Sequence, residues 1–337
     1  MHNPSPALII LSRDVNQYQA LWEASDLSNT SLVLATDKVA EVLESTFKDQ
    51  STILLSEPDL AVQVVAHLPN LKWCQSTWAG NAPLLNHSKQ DYILTGVKGI
   101  FSQLMSEYVL SYILSYVRQH QTFIELQSKQ QWAPPRIRSI SELTIGILGI
   151  GNIATGMLSM FAALNVNIIG LSRSAKPPLS HPQMPMFTPN QLVDFIGACD
   201  VVINLLPDTP ATQAFIDRTT IEALIASQQT VTATTSDTSD LPKSRQFINA
   251  GRGSVVTDEV LLMALDNGVF TQAVLDVFTT EPLPAQHVFL HRDDIVITQH
   301  TAAISKPSDV MHVFMENMTR YTQGLSPLYV MDWHQGY

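Results

Sequence analysis

The sequence predicts an α/β protein built from two doubly wound parallel sheets, one inserted within the other. Three observations carry this. Short apolar runs alternate with helix-like stretches in two separate series, a proline-bearing break at Ala133-Pro134-Pro135-Arg136 divides the series, and 337 residues with 45% hydrophobic content suffice for two cores.

In the first series the runs Ala7 to Leu11, Ser31 to Leu34, Thr52 to Leu55, Leu71 to Cys74 and Tyr92 to Thr95 are the expected strands. Leu104, Tyr108, Val109, Tyr112, Ile113, Tyr116 and Val117 then recur at helical spacing without Gly or Pro, predicting one long buried helix from Leu104 to His120. The second series has expected strands at Leu143 to Leu148, Val166 to Leu171, Asp200 to Leu206, Phe247 to Asn249, Ala273 to Val277 and Ile295 to Thr298, with a helix around Ile221 to Ala226. A last amphipathic stretch, Pro307 to Tyr321, places Val310, Val313, Phe314 and Met318 on one face and is expected to dock on the first series. The first domain then comprises 1–104 and 301–337, and 105–300 forms the inserted one. Gln228 to Arg245 is Thr/Ser/Asp-rich and aperiodic; it reads as an inserted solvated loop, a spacer at the sheet edge opposite the strands' C-terminal ends.

A formal net charge of -11 argues against nucleic-acid and anionic-membrane partners, because no excess of Lys and Arg is present to neutralise phosphates. Anionic ligands must be held by local cations. Cys74 and Cys199 stand far apart beside strand-like runs, so both are expected to be buried and reduced, as in a cytoplasmic protein. The stretch before Ala7 has no basic start, and Ala7 to Leu11 is too short for a secretion signal or a membrane span.

Thr144 to Ala154 is a strand running through G-x-G-x-x-A into a helix. Gly149 permits the tight turn, Gly151 permits close approach of a pyrophosphate, and Ala154 permits close helix–strand packing. The helix start at Asn152 and Ile153 offers unpaired N–H groups to phosphate. Where the next strand ends, an NAD site usually places Asp or Glu against the ribose 2′-hydroxyl; this chain has Ser172-Arg173-Ser174-Ala175-Lys176. A guanidinium, two hydroxyls and an ammonium suit a 2′-phosphate, so NADP(H) is the expected preference. The alternative is that Arg173 only stacks on adenine and NAD(H) serves as well.

Arg252, Glu281 and His300 each fall just past the end of a consecutive expected strand, where open α/β sheets bind ligands. Hydride transfer to a keto acid requires a cation for the carboxylate, a proton donor for the developing alkoxide and a partner that holds the donor. Arg, His and Glu are those types, with the Glu281 carboxylate favouring a protonated His300. Asp276, at a strand end, is placed to accept a hydrogen bond from a nicotinamide carboxamide. Singly each has a plain reading: Arg252 in a surface turn, Glu281 capping before Pro282, His300 as a satisfied polar group. Their convergence at one sheet edge favours the joint one.

The runs Gly149 to Ala154, Val201 to Pro210 (VVINLLPDTP), Phe247 to Gly253 (FINAGRG), Leu275 to Leu283 (LDVFTTEPL) and Thr298 to Ala303 (TQHTAA) resemble, in order, the motifs of the D-isomer-specific 2-hydroxyacid dehydrogenases. Ser172-Arg173, Trp78-Ala79-Gly80 and Ser106-Glu107-Tyr108-Val109 are similar to that family's glyoxylate/hydroxypyruvate reductase branch. The resemblance implies a Rossmann-like nucleotide-binding domain inserted into a flavodoxin-like substrate domain. It also implies cofactor contacts at Leu206 and Pro207, Arg252, Glu281 and His300 at the catalytic positions, and Asp276 on the nicotinamide side. Backbone amides at Ala79 and Gly80 would meet the substrate carboxylate, Trp78 would wall in a short substrate, and the enzyme would be a homodimer. This chain departs from the family pattern at Gln299, where proline is common, at Ala154 in place of a third glycine, and in the Gln228 to Arg245 insertion.

Two other readings fit the same fold. A formate dehydrogenase shares the fold but pairs its histidine with glutamine, against Glu281 here. A cofactor-sensing corepressor-like protein on the same fold would bind NAD(P)H and a partner without turnover. His287 and His291 have i, i+4 spacing but lack the acid of a zinc motif, so they read as solvated side chains, not metal ligands.

Overall fold

The computed structural model describes residues 6–25, 30–234 and 244–333, with the side chains of 230–234 left aside. It divides into two compact units, Met1–Ile100 with Ser305–Tyr337, and Phe101–Ile304.

The first unit holds one parallel sheet of β1 (Ala7–Leu11), β2 (Ser31–Thr36), β3 (Ile53–Ser56), β4 (Trp73–Ser76) and β5 (Ile93–Thr95), in the order β2-β1-β3-β4-β5. This is the 2-1-3-4-5 order of flavodoxin-like sheets. All five residues of β1 and all four of β3 and β4 are buried, as expected of parallel strands covered on both faces. The chain's closing helix returns here. Met318 and Val310 are fully buried, and Phe314 stacks on Trp73 with centroids 5.2 Å apart and lies 6.1 Å from Trp22 on the helix Val15–Glu23.

The second unit has seven parallel strands: β6 (Thr144–Leu148), β7 (Asn167–Leu171), β8 (Met186–Phe187), β9 (Val201–Asn204), β10 (Gln246–Asn249), β11 (Gln272–Leu275) and β12 (Ile295–Ile297), ordered β12-β11-β10-β9-β6-β7-β8. Counted within the unit this is 3-2-1-4-5-6 extended by a seventh strand, the dinucleotide-binding order. Alternating strand residues enter two cores. Val201, Ile203 and Ile248 pack with Val109, Ile113, Met157 and Phe161 on one face, while Val202 and Phe247 pack with Phe195, Ile221, Leu224 and Leu261 on the other. A sheet covered on both faces binds ligand at its ends, and the chain reverses its winding between β6 and β9.

Four expectations are corrected. The long helix ends at Val117, where Gln119 turns into the left-handed region (φ 57°), and a separate helix His120–Ser128 follows with no buried residue. The short strand β8 was not foreseen; a two-residue pairing leaves no periodic signal. The helix expected at Ile221 to Ala226 spans Arg218–Thr234, so Gln228 to Thr234 of the expected loop is helical. Its far end is not solvated: Arg245, just before β10, is buried and donates from Nη2 to the Gly197 carbonyl at 3.2 Å, near the end of the helix Leu192–Ala198. The expected loop's remaining residues, 235–243, lie outside the described ones. Finally, His287 is not solvated: its Nε2 meets Asp258 Oδ2 at 2.9 Å and its Nδ1 accepts from the Phe289 amide. Cys74 and Cys199 are both buried and are not bonded to each other. No helix among the described residues is long and apolar enough to cross a membrane, and these residues bring together no cluster of three metal-ligating side chains.

Candidate active site

Register aligns the strand ends that carry the candidate residues. Asn249 of β10 pairs with Leu275 of β11, which pairs with Ile297 of β12. Arg252, Asp276, Glu281 and His300 therefore leave neighbouring strands at the same C-terminal edge.

His300 Nδ1 lies 2.7 Å from Glu281 Oε2, and the other carboxylate oxygen, Oε1, accepts from the Phe278 amide at 2.8 Å. Since an ionised carboxylate only accepts, the proton of this pair sits on Nδ1, and Nε2 has no partner among the described residues. The His300 side chain is 58% exposed. Arg252 is half-buried, donates from Nη1 to the Gly251 carbonyl at 2.7 Å and has no carboxylate partner among the described residues. By contrast, Arg13, Arg138, Arg218 and Arg292 are all ion-paired.

Several residues that build this edge were not singled out from sequence. Asn204 Nδ2 donates to Asn249 Oδ1 at 2.8 Å, and Asn249 in turn donates to the Arg252 carbonyl and accepts from the Gly251 amide. Gly253 lets the Arg252 loop lie against the turn that holds Glu281: a Cβ there would fall 2.2 Å from the Phe278 carbonyl carbon. The available signal was polar asparagine at the ends of otherwise apolar strands.

Asp276 is 2% exposed. Its Oδ1 accepts from Thr298 Oγ1 at 2.6 Å and from the Thr301 and Ala302 amides at 2.8 and 3.1 Å, while Oδ2 shares the Ala302 amide. Its carboxylate is thus engaged with the His300 loop, leaving Oδ2 as the oxygen with room for a further donor.

At the β6–β9 reversal, Gly149 has φ +93° and its Cβ would sit 3.1 Å from the Leu205 backbone, so only glycine suits that turn. Gly151 is exposed and a Cβ there would meet nothing within 4 Å, which leaves open space before the helix Asn152–Ala163. That helix has no side-chain cap and no acid in its first turn, so the amides at Asn152 and Ile153 stay free for an anion. Leu206 and Pro207 follow β9 across the gap; the Leu206 amide is held by Asn204 Oδ1. Ser172, Arg173, Ser174 and Lys176 follow β7, with Arg173 and Lys176 exposed and in no ion pair among the described residues. An open glycine cradle, an uncapped helix start and unspent cations fit a dinucleotide with its phosphates.

In the first unit, Trp78, Ala79 and Gly80 form the loop leaving the C-terminal end of β4. Ser76 Oγ holds the Trp78 amide, whereas the Ala79 and Gly80 amides have no acceptor among the described residues. Trp78 is 41% exposed, with the Arg13 guanidinium 5.9 Å from its ring centroid.

A family profile described as D-isomer specific 2-hydroxyacid dehydrogenase, NAD binding domain, matches residues 110–302. A glyoxylate/hydroxypyruvate reductase A of Serratia proteamaculans is 34% identical over 236 residues, covering 70% of this chain and 69% of that protein. Among solved structures, a D-isomer specific 2-hydroxyacid dehydrogenase family protein of Aeromonas salmonicida superposes with a TM-score of 0.85 at 29% identity over 98% of this chain and 99% of that one. An NADPH-dependent glyoxylate/hydroxypyruvate reductase of Sinorhizobium meliloti, solved with NADP and sulfate, superposes with a TM-score of 0.80 at 24% identity over 98% and 100%. With the order of the strands, the glycine turn and the Arg252, Glu281 and His300 edge all in place, the chain belongs to the D-isomer specific 2-hydroxyacid dehydrogenase family of oxidoreductases.

Proposed function

We propose that this protein reduces small 2-keto acids, glyoxylate and hydroxypyruvate foremost, to the 2-hydroxy acids, with NADPH preferred and NADH possible. The observation that carries the reading is the 2.7 Å Glu281–His300 pair, set at one sheet edge with the guanidinium of Arg252, which has no carboxylate partner among the described residues. A bound dinucleotide would supply the hydride; Gly149, Gly151, Asn152 and Ile153 would hold its pyrophosphate, and Ser172, Arg173, Ser174 and Lys176 its 2′-phosphate. Leu206 and Pro207 would flank the cofactor, and Asp276 Oδ2 would accept from its carboxamide.

Arg252 forks onto the substrate carboxylate and polarises the keto group. As the carbonyl carbon gains hydride, the oxygen takes the proton from His300 Nε2, and Glu281 holds the imidazolium before transfer and orients the neutral ring after it. Solvent returns the proton to the exposed ring. In the first unit, the Ala79 and Gly80 amides are the donors for an anionic group, and Trp78 limits side-chain length. We further propose a homodimeric, cytoplasmic enzyme. Supporting the dimer, the helix His120–Ser128 buries none of its residues and, with Phe123 40%, Ile124 62% and Trp132 99% exposed, presents an uncovered apolar surface. Supporting the compartment, both cysteines are buried and form no disulfide with each other.

The test is loss of reduced-nicotinamide absorbance with NADPH or NADH against glyoxylate, hydroxypyruvate and pyruvate, for wild type and His300→Ala. The expected result is faster turnover with NADPH, reduced about a thousandfold in the variant, the middle of the range for an acid–base residue. Tight NADPH binding without turnover of any keto acid would instead favour the cofactor-sensing reading.

A further inference from the structure

The His300 loop is held in an unfavourable backbone conformation, and one side-chain network supplies the restraint. Gln299 and His300 both occupy the left-handed region, at φ 57° and 59°. Neither residue is glycine, so each of these positions is disfavoured in isolation and persists only because its surroundings impose it. Asp276 does the imposing on both sides: its main-chain carbonyl accepts the His300 amide at 2.7 Å, and its carboxylate grips Thr298, Thr301 and Ala302. One residue therefore fastens the loop before, at and after the imidazole.

The Thr298 hydroxyl is one point of that grip. Its proton goes to Asp276 Oδ1 at 2.6 Å, so the oxygen must be the acceptor in its 2.8 Å contact with the Tyr108 hydroxyl. Tyr108 lies in the helix Ser102–Val117, far from the loop in sequence, and its ring packs on Tyr112 at 4.9 Å between centroids. Burial, assisted by the Asp276 charge, holds its hydroxyl well above the ordinary tyrosine range, so it is a permanent donor at working pH.

We infer that Tyr108 is a positioning residue for catalysis: through Thr298 it locks the Asp276 carboxylate and with it the left-handed loop that aims His300. The inference rests on His300 being the proton donor. Tyr108 touches none of the reacting atoms, and its effect is confined to proton delivery, with carboxylate binding at Arg252 and phosphate binding at the glycine turn left alone.

The experiment measures steady-state glyoxylate reduction by the full-length protein in H2O and D2O for wild type, Tyr108→Phe, Thr298→Val, Thr298→Ser and the Tyr108→Phe/Thr298→Val double variant. For Tyr108→Phe the expected result is a kcat lower by about three- to tenfold, the range for one lost hydrogen bond, with KM for both substrates within about twofold of wild type. The solvent isotope effect on kcat should rise as proton delivery becomes more rate-limiting. Thr298→Ser, which keeps the hydroxyl, should stay close to wild type, and Tyr108→Phe should add nothing in the Thr298→Val background. Unchanged kcat and isotope effect in a Tyr108→Phe protein of wild-type melting temperature overturns the inference, as does full additivity in the double variant. Failure of wild type itself to reduce any small 2-keto acid overturns the functional reading first, and is visible before any variant is compared.

Discussion

At the residue scale, the candidate site is assembled by contacts between side chains and backbones distant in sequence. Gly253 shows how strict they are. Its missing Cβ leaves the Arg252 loop against the Phe278–Thr279 backbone, where a methyl would approach to 2.2–2.5 Å. Since the obstacle is main chain, Gly253→Ala must displace either Arg252 or the turn whose Phe278 amide holds Glu281. Displacement of about 1 Å is enough to cost on the order of a hundredfold in rate. Steady-state kinetics should show kcat/KM for glyoxylate falling by about that factor, while NADPH affinity, read by fluorescence titration, stays within about twofold; wild-type kinetics would show that the two loops do not share this constraint. Gly149 and Gly151 were legible in the sequence because a strand before and a helix after give a glycine turn its meaning. Gly253 was not, because what excludes a side chain there arrives from a later loop. The same holds for the Tyr108 hydroxyl and Thr298, which meet across 190 positions of sequence. Gln299, by contrast, was noticed for the absence of proline, and its φ of 57° explains it: proline is locked near about -65° and does not fit this backbone.

At the element scale, the alternation of apolar runs with helical stretches was legible because both faces of each sheet are buried, which keeps strands short and apolar. Element ends were less so. The aperiodic Thr/Ser composition after Ala226 concealed the last two turns of the helix Arg218–Thr234, because β-branched and hydroxyl residues are weak but tolerated helix formers. Its beginning has a clear chemical signal: Asp217 Oδ1 accepts from the Thr220 amide at 2.8 Å and from its hydroxyl at 2.7 Å, and these bonds hold the Asp217 carboxyl below its ordinary pKa. A carboxyl with a lowered folded-state pKa contributes stability above its unfolded value, about 3.9, and that contribution is lost as pH falls through the folded value. Asp217→Ala should therefore cost about 1 kcal/mol at neutral pH, with Asp217→Asn nearly silent, as for other helix caps. Urea titrations repeated from pH 7 down to about 2.5 should show the wild type–Ala difference shrinking below about pH 4, whereas the Asn–Ala difference stays level. A wild type–Ala difference that grew on acidification would contradict the cap.

At the scale of the whole molecule, the chain begins a domain, leaves it for about two hundred residues to build another, and returns to finish the first. The return was legible in the amphipathic face of Pro307 to Tyr321. The polar side of the docking was not: Asn317 Nδ2 donates to Gln75 Oε1 at 3.1 Å and to the Leu328 carbonyl at 3.2 Å, while its Oδ1 accepts from the Leu328 amide at 2.6 Å. A fully buried asparagine joins residues 242 positions apart and fixes the level at which the closing helix docks. The first unit's core is therefore incomplete until the last tenth of the chain is in place, and closing so long a loop makes its contacts the entropically expensive ones. Phe314, 0% exposed, stacked on Trp73 and near Trp22, carries the apolar part of that docking. Phe314→Ala should destabilise the first unit by about 3–5 kcal/mol through lost burial and the cavity left behind. Trp22 and Trp73 lie against the substituted ring, so urea unfolding followed by tryptophan fluorescence reports the loss directly, as a lower midpoint at similar slope. A loss below about 1 kcal/mol would mean that the five-stranded sheet and its own helices hold the core without the returning helix.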